Sequence, residues 1–245
     1  MPIIRRLCRC RTSGAIHDGV IEGAEFVFAG GRVALEAVSF APPCVPTKII
    51  GVGRNYADHA AEMNNPLPAE PLLFLKPPSA LNQHEGDVVY PPQSRQVDFE
   101  GELALVIGER CKNVSRERAS SVVLGYTICN DFTARDLQRT DGQWARAKGF
   151  DGFAPLGPCI ATGIRPDTLR VRTLVNGEVK QDAPVSDLIF GIPALIEYIS
   201  ATFTLEPGDV ITTGTPAGVG PVRVGDVVEV HIDGIGLLRN RIVAA

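Results

Sequence analysis

The chain has 245 residues, of which 44% are hydrophobic and 21% charged, as expected of a globular protein that buries one substantial core without disulfides. Its formal net charge of -4 argues against nucleic-acid binding, because it leaves no basic footprint. Residues 3–10 lack an uninterrupted apolar core and no later stretch approaches a membrane span, so we expect neither signal peptide nor membrane anchor, and a cytoplasmic location.

The N-terminal part of the chain contains short strand-like segments, such as residues 24–28. The proline-rich segment 41–46 follows them and predicts a boundary. We therefore expect a small N-terminal β domain over residues 1–45 and a main domain over residues 46–245.

Six cysteines are scattered along the chain, and only Cys8 and Cys10 are close in the sequence. Their spacing suggests joint metal ligation or a redox pair, but a single pair is a weak zinc signal. The pattern favours reduced cysteines that fill the core as small apolar side chains.

Of the four histidines, His59 alone has a chemically useful neighbour. If residues 54–63 are helical, His59 and Glu62 share one face. The carboxylate can then accept the imidazole N–H and leave the other ring nitrogen able to take a proton. The spacing is compatible with a general-base pair or with an incidental His–Glu pair on a solvated helix.

Two acids, Glu100 and Glu102, alternate with other residues in a strand-like run, so both point to one face. The apolar run 122–131 reads as a buried strand that ends in Asp131, where an acid can line a cleft. Together these three carboxylates could hold one hard cation such as Mg²⁺. The alternative for the two glutamates is the wet face of a half-exposed strand.

The polar segment 132–153 could close over such a site as a loop, with Lys148 or Arg135 balancing the acids and binding an anionic substrate. It could equally be a surface loop. The glycine-rich segment 213–220 lacks the lysine and the spacing of a P-loop. It predicts either backbone amides and a hydroxyl that face a carboxylate, or a plain tight turn.

Turn signals dominate the remainder of the chain and predict a mostly β main domain. Helical signals are few: one helix begins near Pro193 and presents an apolar face, and a shorter one runs from Ser115 to Ser121. The hairpin and turn signals are Gly86-Asp87-Val88, Asn176-Gly177, Gly208-Asp209-Val210, Gly225-Asp226-Val227 and Asp233-Gly234.

Five segments, in order, closely resemble the fumarylacetoacetate hydrolase family: residues 53–59, 74–77, 100–103, 130–136 and 213–216. Any one of them is a weak signal, but five in the family's order are specific. The resemblance covers residues 46–243. It implies a mostly β (α+β) fold with a mixed β-roll catalytic domain, usually in a homodimer.

The resemblance also implies one bound Mg²⁺ or Mn²⁺ and a pocket for a small oxo acid. His59 and Glu62 match a catalytic pair, and Lys148 would assist electrostatically. The other positions that it implies are Glu100, Glu102 and Asp131 as metal ligands and Arg135, Gln138 and Thr215 in the substrate pocket.

Three reactions follow from the resemblance, all through a metal-chelated enolate. The first two cleave a carbon–carbon bond, as an acylpyruvate-type hydrolase of 2,4-dioxo acids or an oxaloacetate-type decarboxylase. The third belongs to the 2-hydroxyhepta-2,4-diene-1,7-dioate isomerase and 5-oxopent-3-ene-1,2,5-tricarboxylate decarboxylase members of aromatic-acid catabolism. The His59–Glu62 pair favours cleavage, whereas residues 151–158 also resemble the isomerase members. A rival from another class is a catalytically silent binding protein that keeps the fold.

Overall fold

The computed structural model describes residues 3–63 and 66–245. These residues form twenty strands, which confirms the mostly β class. The strands are β1 (Arg5–Thr12), β2 (Ala15–Glu22), β3 (Glu25–Phe28), β4 (Gly31–Ala34), β5 (Ser39–Ala41), β6 (Ile49–Gly53), β7 (Leu72–Lys76), β8 (Leu81–Asn82), β9 (Asp87–Tyr90), β10 (Val97–Phe99), β11 (Gly101–Ile107), β12 (Val123–Asn130), β13 (Thr133–Ala134), β14 (Ala154–Thr162), β15 (Arg170–Val175), β16 (Glu178–Pro184), β17 (Val210–Thr212), β18 (Gly220–Pro221), β19 (Val227–Ile232) and β20 (Gly236–Ala244).

Helices are short and connect the strands. None in the described ranges is long and apolar enough to cross a membrane. The α-helices are α1 (Ala57–Glu62), α2 (Arg135–Asp141), α3 (Ala145–Lys148) and α4 (Ile192–Thr202), and the 3-10 helices are Leu35–Ala37, Pro78–Ala80, Arg116–Val122, Pro166–Thr168 and Val185–Asp187.

The described strands form three sheets. The largest has twelve strands, and its main path is β4-β3-β2-β1-β14-β12-β11-β17-β6-β7. Most pairs along it are antiparallel, but β17 pairs with β6 in parallel, so the sheet is mixed. A five-stranded sheet follows the order β16-β15-β19-β20-β9, and a three-stranded sheet the order β13-β10-β18. One buried cluster joins the two larger sheets through Leu103 and Leu105 of β11, Val171 of β15 and Val230 of β19.

The N-terminal strands extend the largest sheet, because β1 pairs with β14 and places Leu7 opposite Ile160. Cys8 and Cys10 are buried in the main core, with their sulfur atoms 3.9 Å apart. The six cysteines form no disulfide. The domain boundary near residue 45 stays a prediction.

The turn signals lie between strands as expected. Residues 176–177 connect β15 to β16, and residues 233–235 connect β19 to β20. Helix α4 buries the predicted apolar face through Leu195, Ile196 and Ile199. The short helix expected from Ser115 is present as the 3-10 helix Arg116–Val122.

Asp209 holds the turn before β17. Its buried carboxylate accepts hydrogen bonds from the Thr47 N–H (3.0 Å), the Thr47 hydroxyl (2.7 Å) and the Glu206 N–H (2.8 Å), and it pairs with Lys48. These contacts fix the chain that enters β6 beside β17.

Two local expectations differ from the structure. Segment 132–153 is not a loop but contains α2 and α3, because Leu137 and Ala147 are buried in a core cluster and Gly142 ends the first helix at positive φ (71°). Glu100 lies between β10 and β11 rather than within a strand, and β11 is buried on both faces. The two glutamates are therefore not on a wet face.

Candidate active site

Two neighbouring strands bring three carboxylates together. β11 and β12 pair with Gly101 opposite Asn130, which places Glu100 beside Asp131. The Glu100 N–H donates to Asn130 Oδ1 (2.9 Å), and the Asp131 N–H donates to the Glu100 carbonyl (2.8 Å). Carboxylate oxygens of Glu100, Glu102 and Asp131 lie within 4.8 Å of one another, and all three side chains are buried. The structure thus gathers the three acids that the sequence singles out.

Gly101, between the two glutamates, occupies a position with no space for a side chain. A Cβ atom there would lie 2.0 Å from Thr173 Oγ1. The Gly101 N–H donates to Gln181 Oε1 (3.0 Å), and its carbonyl accepts from the Thr215 hydroxyl (3.0 Å). Gln181 also donates to Thr215 Oγ1 (2.8 Å). This network holds the backbone that carries both glutamates.

The glycine-rich segment 213–220 presents backbone N–H groups to two carboxylates, as the first of the two readings expects. Its Thr213 and Thr215 hydroxyls instead donate to the carbonyls of Leu103 and Gly101. Gly214 N–H donates to Glu102 (2.8 Å), and Gly218 N–H donates to Glu62 (3.0 Å). Both glycines have positive φ, 101° and 99°, a conformation that side chains disfavour. The segment therefore orients one predicted metal ligand and one member of the predicted proton-transfer pair.

Buried cationic side chains surround the carboxylates. Lys148 Nζ donates to Glu100 Oε2 (2.7 Å) and Asp131 Oδ2 (2.6 Å). Arg135 pairs with Glu100 on its other side. Lys76 Nζ lies 2.5 Å from Asp131 Oδ1. Each of these two carboxylates thus has two cationic partners.

The arrangement shifts the pKa of both glutamates, in opposite directions. Burial, together with Asp131 and Glu100, raises the pKa of Glu102 well above its usual range. Burial acts the same way on Glu100, but Lys148 and Arg135 outweigh it and hold the pKa of Glu100 below its usual range. Glu102 forms no ion pair with a cation of the described residues, so the cluster is short of positive charge at this carboxylate.

Three converging oxygen ligands with one uncompensated carboxylate fit a hard divalent cation. Mg²⁺ and Mn²⁺ both prefer oxygen ligands, and each leaves coordination positions for water or substrate when only three come from the protein. Glu100, Glu102 and Asp131 would hold the ion.

Helix α1 brings His59 and Glu62 together as their spacing predicts. His59 Nδ1 lies 3.3 Å from Glu62 Oε2. When Nδ1 carries the ring proton, it donates to Glu62 and leaves Nε2 as the basic nitrogen. His59 is buried, whereas Glu62 is partly exposed. The pair has the geometry of a proton-transfer dyad, and its catalytic role stays a prediction.

These features meet at one cleft. Glu62 does not line this cleft, but it contacts His59, which does. Gln138 is held by Arg135, whose guanidinium donates to its side-chain oxygen (2.7 Å). The predicted residues that line the cleft are His59, Glu100, Glu102, Asp131, Arg135, Gln138, Lys148 and Thr215, and further lining residues include Arg54, Met63, Phe74 and Trp144.

Sequence reasoning did not single out Lys76 or Asp98. Lys76 is the last residue of the apolar strand β7, and the available signals were a lone lysine there and its place in the family-like segment 74–77. Burial lowers its pKa even though Asp131 opposes the shift. Asp98 Oδ2 accepts a hydrogen bond from Arg135 Nε (2.8 Å) and so fixes the guanidinium beside Glu100.

Mixed sheets that bring three buried carboxylates to one cleft fit an enzyme that holds a divalent cation. The chain belongs to the fumarylacetoacetate hydrolase family, because residues 48–243 match the family model described as fumarylacetoacetate (FAA) hydrolase C-terminal. The resemblance predicted from the motifs is thereby confirmed.

Relatives with different activities share this fold. An oxaloacetate tautomerase of Bacillus subtilis is 43% identical over 236 residues, which are 90% of this chain and 77% of the relative. The structure of 2-hydroxyhepta-2,4-diene-1,7-dioate isomerase from Mycobacterium marinum is 43% identical, with a TM-score of 0.92 and 98% coverage of both chains. Fumarylpyruvate hydrolase from Pseudomonas aeruginosa, in complex with Mn²⁺ and pyruvate, is 34% identical, with a TM-score of 0.78 and coverage of 84% of this chain and 92% of that one.

Proposed function

We propose that this protein is a Mg²⁺- or Mn²⁺-dependent enzyme that cleaves a carbon–carbon bond in a small 2-oxo or 2,4-dioxo acid. The reaction is that of an acylpyruvate-type hydrolase or an oxaloacetate-type decarboxylase. The observation that carries the proposal is the meeting of the buried carboxylate cluster and the His59–Glu62 pair at one cleft. The bound cation would act as a Lewis acid toward the carboxylate and 2-oxo oxygens of the substrate. The Mn²⁺ and pyruvate in the Pseudomonas aeruginosa relative support this choice.

The chain's own residues divide the remaining work. His59 Nε2 takes a proton from water, and the resulting imidazolium is stabilised by Glu62. Glu62 is itself oriented by the Gly218 N–H (3.0 Å). Lys148, at hydrogen-bond distance from Glu100 and Asp131, stabilises negative charge that develops on the substrate.

The charges at the site favour an anionic substrate. Four ionised carboxylates, three lysine and arginine side chains and one divalent cation in and beside the cluster leave one positive charge in excess, and Arg54 in the cleft lining adds a second. A carboxylate substrate offsets this excess of positive charge. The groups counted are Asp98, Glu100, Glu102, Asp131, Lys76, Arg135 and Lys148.

Proton transfer without bond cleavage is the second candidate, as in the tautomerase or isomerase relatives. The observation that favours it is sequence identity: the tautomerase relative of Bacillus subtilis is 43% identical, against 34% for the fumarylpyruvate hydrolase. The His59–Glu62 pair serves either candidate, since it can also move a proton between carbon and oxygen. A dienedioate isomerase or tricarboxylate decarboxylase of aromatic-acid catabolism would use the same residues.

Of the alternatives, a catalytically silent protein explains the carboxylate cluster least well. Glu100 and Asp131 are paired with buried cationic side chains, but Glu102 has no such partner among the described residues. The repulsion between Glu102 and the other two carboxylates has no value to the fold without a bound cation. Mg²⁺- or Mn²⁺-dependent stabilisation in a melting experiment argues for a working site, and its absence would favour the silent protein.

The test is turnover of purified protein with acetylpyruvate, oxaloacetate and a 2-hydroxydienedioate, in Mn²⁺ and in EDTA. We expect cleavage of one of the first two substrates that EDTA abolishes. Activity on the dienedioate alone, or enol–keto conversion of oxaloacetate without CO₂ release, would replace cleavage by isomerisation. Inactivity on all three would refute the proposal for these substrates.

A variant then tests the dyad. His59→Ala should lower kcat for acetylpyruvate by about 10²–10⁴-fold while Mn²⁺ still stabilises the protein. His17→Ala removes a histidine on β2, outside the cleft, and serves as the matched control. Full activity of His59→Ala on every accepted substrate would exclude the proton-transfer role.

The homodimer that the family resemblance implies is part of the same proposal. Light scattering coupled to size-exclusion chromatography tests it directly, and a monomer at micromolar concentration would refute it.

A further inference from the structure

One cationic side chain of the cleft has no acidic partner. Arg135 pairs with Asp98 and Glu100, and Lys148 pairs with Glu100 and Asp131. Arg54 lines the same cleft, and no carboxylate of residues 3–63 and 66–245 forms an ion pair with it. The cleft therefore holds a positive charge that the protein itself leaves unmatched.

The backbone at Arg54 is strained. Its φ is 57°, in the left-handed region, where a glycine would fit without cost. The adjacent Asn55 side chain holds this turn by donating to the carbonyls of Thr213 (2.8 Å) and Phe190 (3.1 Å) and accepting from the Phe190 N–H (2.8 Å). The hydrogen bonds of Asn55 therefore hold Arg54 in this conformation at the cleft.

An aromatic wall links the Arg54 segment to the carboxylate cluster. A Cβ atom on Gly53 would lie 2.9 Å from the Trp144 indole, so these residues touch. Trp144 packs edge-on against Phe74, with ring centroids 5.4 Å apart, and Lys148 Nζ lies 4.7 Å from the Phe74 ring centre. A substrate anchored beside Lys148 can therefore extend along an apolar surface to Arg54.

We propose that Arg54 binds the distal carboxylate of a 2-oxo dicarboxylic acid and so selects substrates with two acidic ends over those with a neutral end. The proposal rests on the proposed function, because the cation site must hold the 2-oxo acid end. A guanidinium suits this task, since it can donate two parallel hydrogen bonds to one carboxylate.

The experiment measures binding rather than turnover. Trp144 is the chain's single tryptophan and lines the cleft, so its fluorescence reports occupancy. Mn²⁺-loaded protein is titrated with pyruvate and with 2-oxoglutarate, which share the 2-oxo acid end and differ by a distal carboxylate. Arg54→Gln should weaken 2-oxoglutarate binding by about tenfold or more and pyruvate binding by less than about twofold.

Two further variants test whether binding depends on the charge at residue 54 alone or on an arginine at that place in the cleft. Arg54→Lys should retain part of the preference for 2-oxoglutarate, because it keeps the charge but loses the paired geometry. Arg139→Gln removes an arginine from an exposed position of α2 outside the cleft lining and should change neither affinity.

The outcomes separate this inference from the proposed function. Equal weakening of both ligands by Arg54→Gln, or no weakening of 2-oxoglutarate, would overturn the role of Arg54 and leave the proposed function intact. Absence of Mn²⁺-dependent pyruvate binding in the wild type would overturn the proposed function and this inference with it. If Arg54→Gln does not fold, the wild type decides: equal affinity for 2-oxoglutarate and its distal amide, 2-oxoglutaramate, would refute the proposal.

Discussion

Glu102→Gln should strongly weaken metal binding and leave the metal-free protein nearly as stable as the wild type. The oxygens of Glu102, Glu100 and Asp131 lie within 4.8 Å of one another, so each ionised neighbour repels an ionised Glu102 by at least about 3.5 kcal/mol at an effective dielectric constant of 20. Burial, together with this repulsion, raises the pKa of Glu102 and so favours the neutral acid when no metal is bound. A glutamine closely mimics that acid and can still accept from the Gly214 N–H.

The magnitude follows from mass action. At a Mn²⁺ concentration of about 100 times its Kd, the wild type should gain about 2.7 kcal/mol, or roughly 5–11 °C in Tm for a chain of this length. Loss of one ligand that weakens binding about 100-fold reduces the gain to about 0.4 kcal/mol, roughly 1–2 °C.

The assay is thermal unfolding in EDTA and across a Mn²⁺ titration. Glu197→Gln, which removes an exposed carboxylate paired with Arg116, is the matched control and should keep the full Mn²⁺ shift. Glu100→Gln should behave differently from Glu102→Gln, because it strips Lys148 and Arg135 of a buried partner and destabilises the metal-free protein by about 3–5 kcal/mol.

Two results would refute this reasoning. An unchanged Mn²⁺ shift in Glu102→Gln would mean that the ion does not bind at the triad. A loss of more than about 3 kcal/mol in the metal-free Glu102→Gln protein would mean that Glu102 is ionised and paired there, contrary to its raised pKa.

Three further predictions concern backbone packing, fold stability and pH. Gly101→Ala places a methyl group 2.0 Å from Thr173 Oγ1 and should therefore destabilise the protein by about 1–3 kcal/mol. It should also weaken Mn²⁺ binding, measured by calorimetry. An unaltered Mn²⁺ affinity would contradict this prediction. Asp209→Asn should lower the urea-derived free energy of unfolding by about 3 kcal/mol at pH 7. Burial opposes the ionisation of Asp209, but hydrogen bonds such as that from Lys48 outweigh it and lower the pKa of Asp209. The stability that Asp209 contributes is therefore present above its unfolded-state pKa and lost as pH falls through its folded-state pKa. If Asp209→Asn remains less stable than the wild type by the same amount at acid pH, this reasoning is refuted. Because Mn²⁺ must displace the proton of Glu102, Mn²⁺ affinity should rise with pH below the raised pKa of Glu102, by up to about tenfold per pH unit. Calorimetry in different buffers should detect the released proton. Mn²⁺ binding without proton release would count against this prediction.

Local features were predictable because short-range geometry repeats along the sequence. The i, i+3 spacing placed His59 and Glu62 together, and the turn residues marked the hairpin at 176–177. The apolar face of α4 followed from its helical period. The family resemblance added the metal triad and the pocket residues, and the structure brings all of these to one cleft.

Other features depend on contacts between distant parts of the chain. Segment 132–153 folds as two helices because Leu137 and Ala147 reach a core that its polar residues do not reveal. Lys76 contacts Asp131 across 55 positions of sequence, and nothing about an isolated lysine at a strand end predicts that partner.

By itself, the sequence determined which residues are chemically capable and the local elements that carry them. The tertiary structure alone decided their pairing: the β11–β12 register sets Glu100 beside Asp131, and contact with Thr173 requires a glycine between the two glutamates. The physical reason is the distance along the chain over which each kind of interaction acts. Helix and strand periods act over a few residues, whereas strand order and register are set by packing of the whole core, which one sequence does not display.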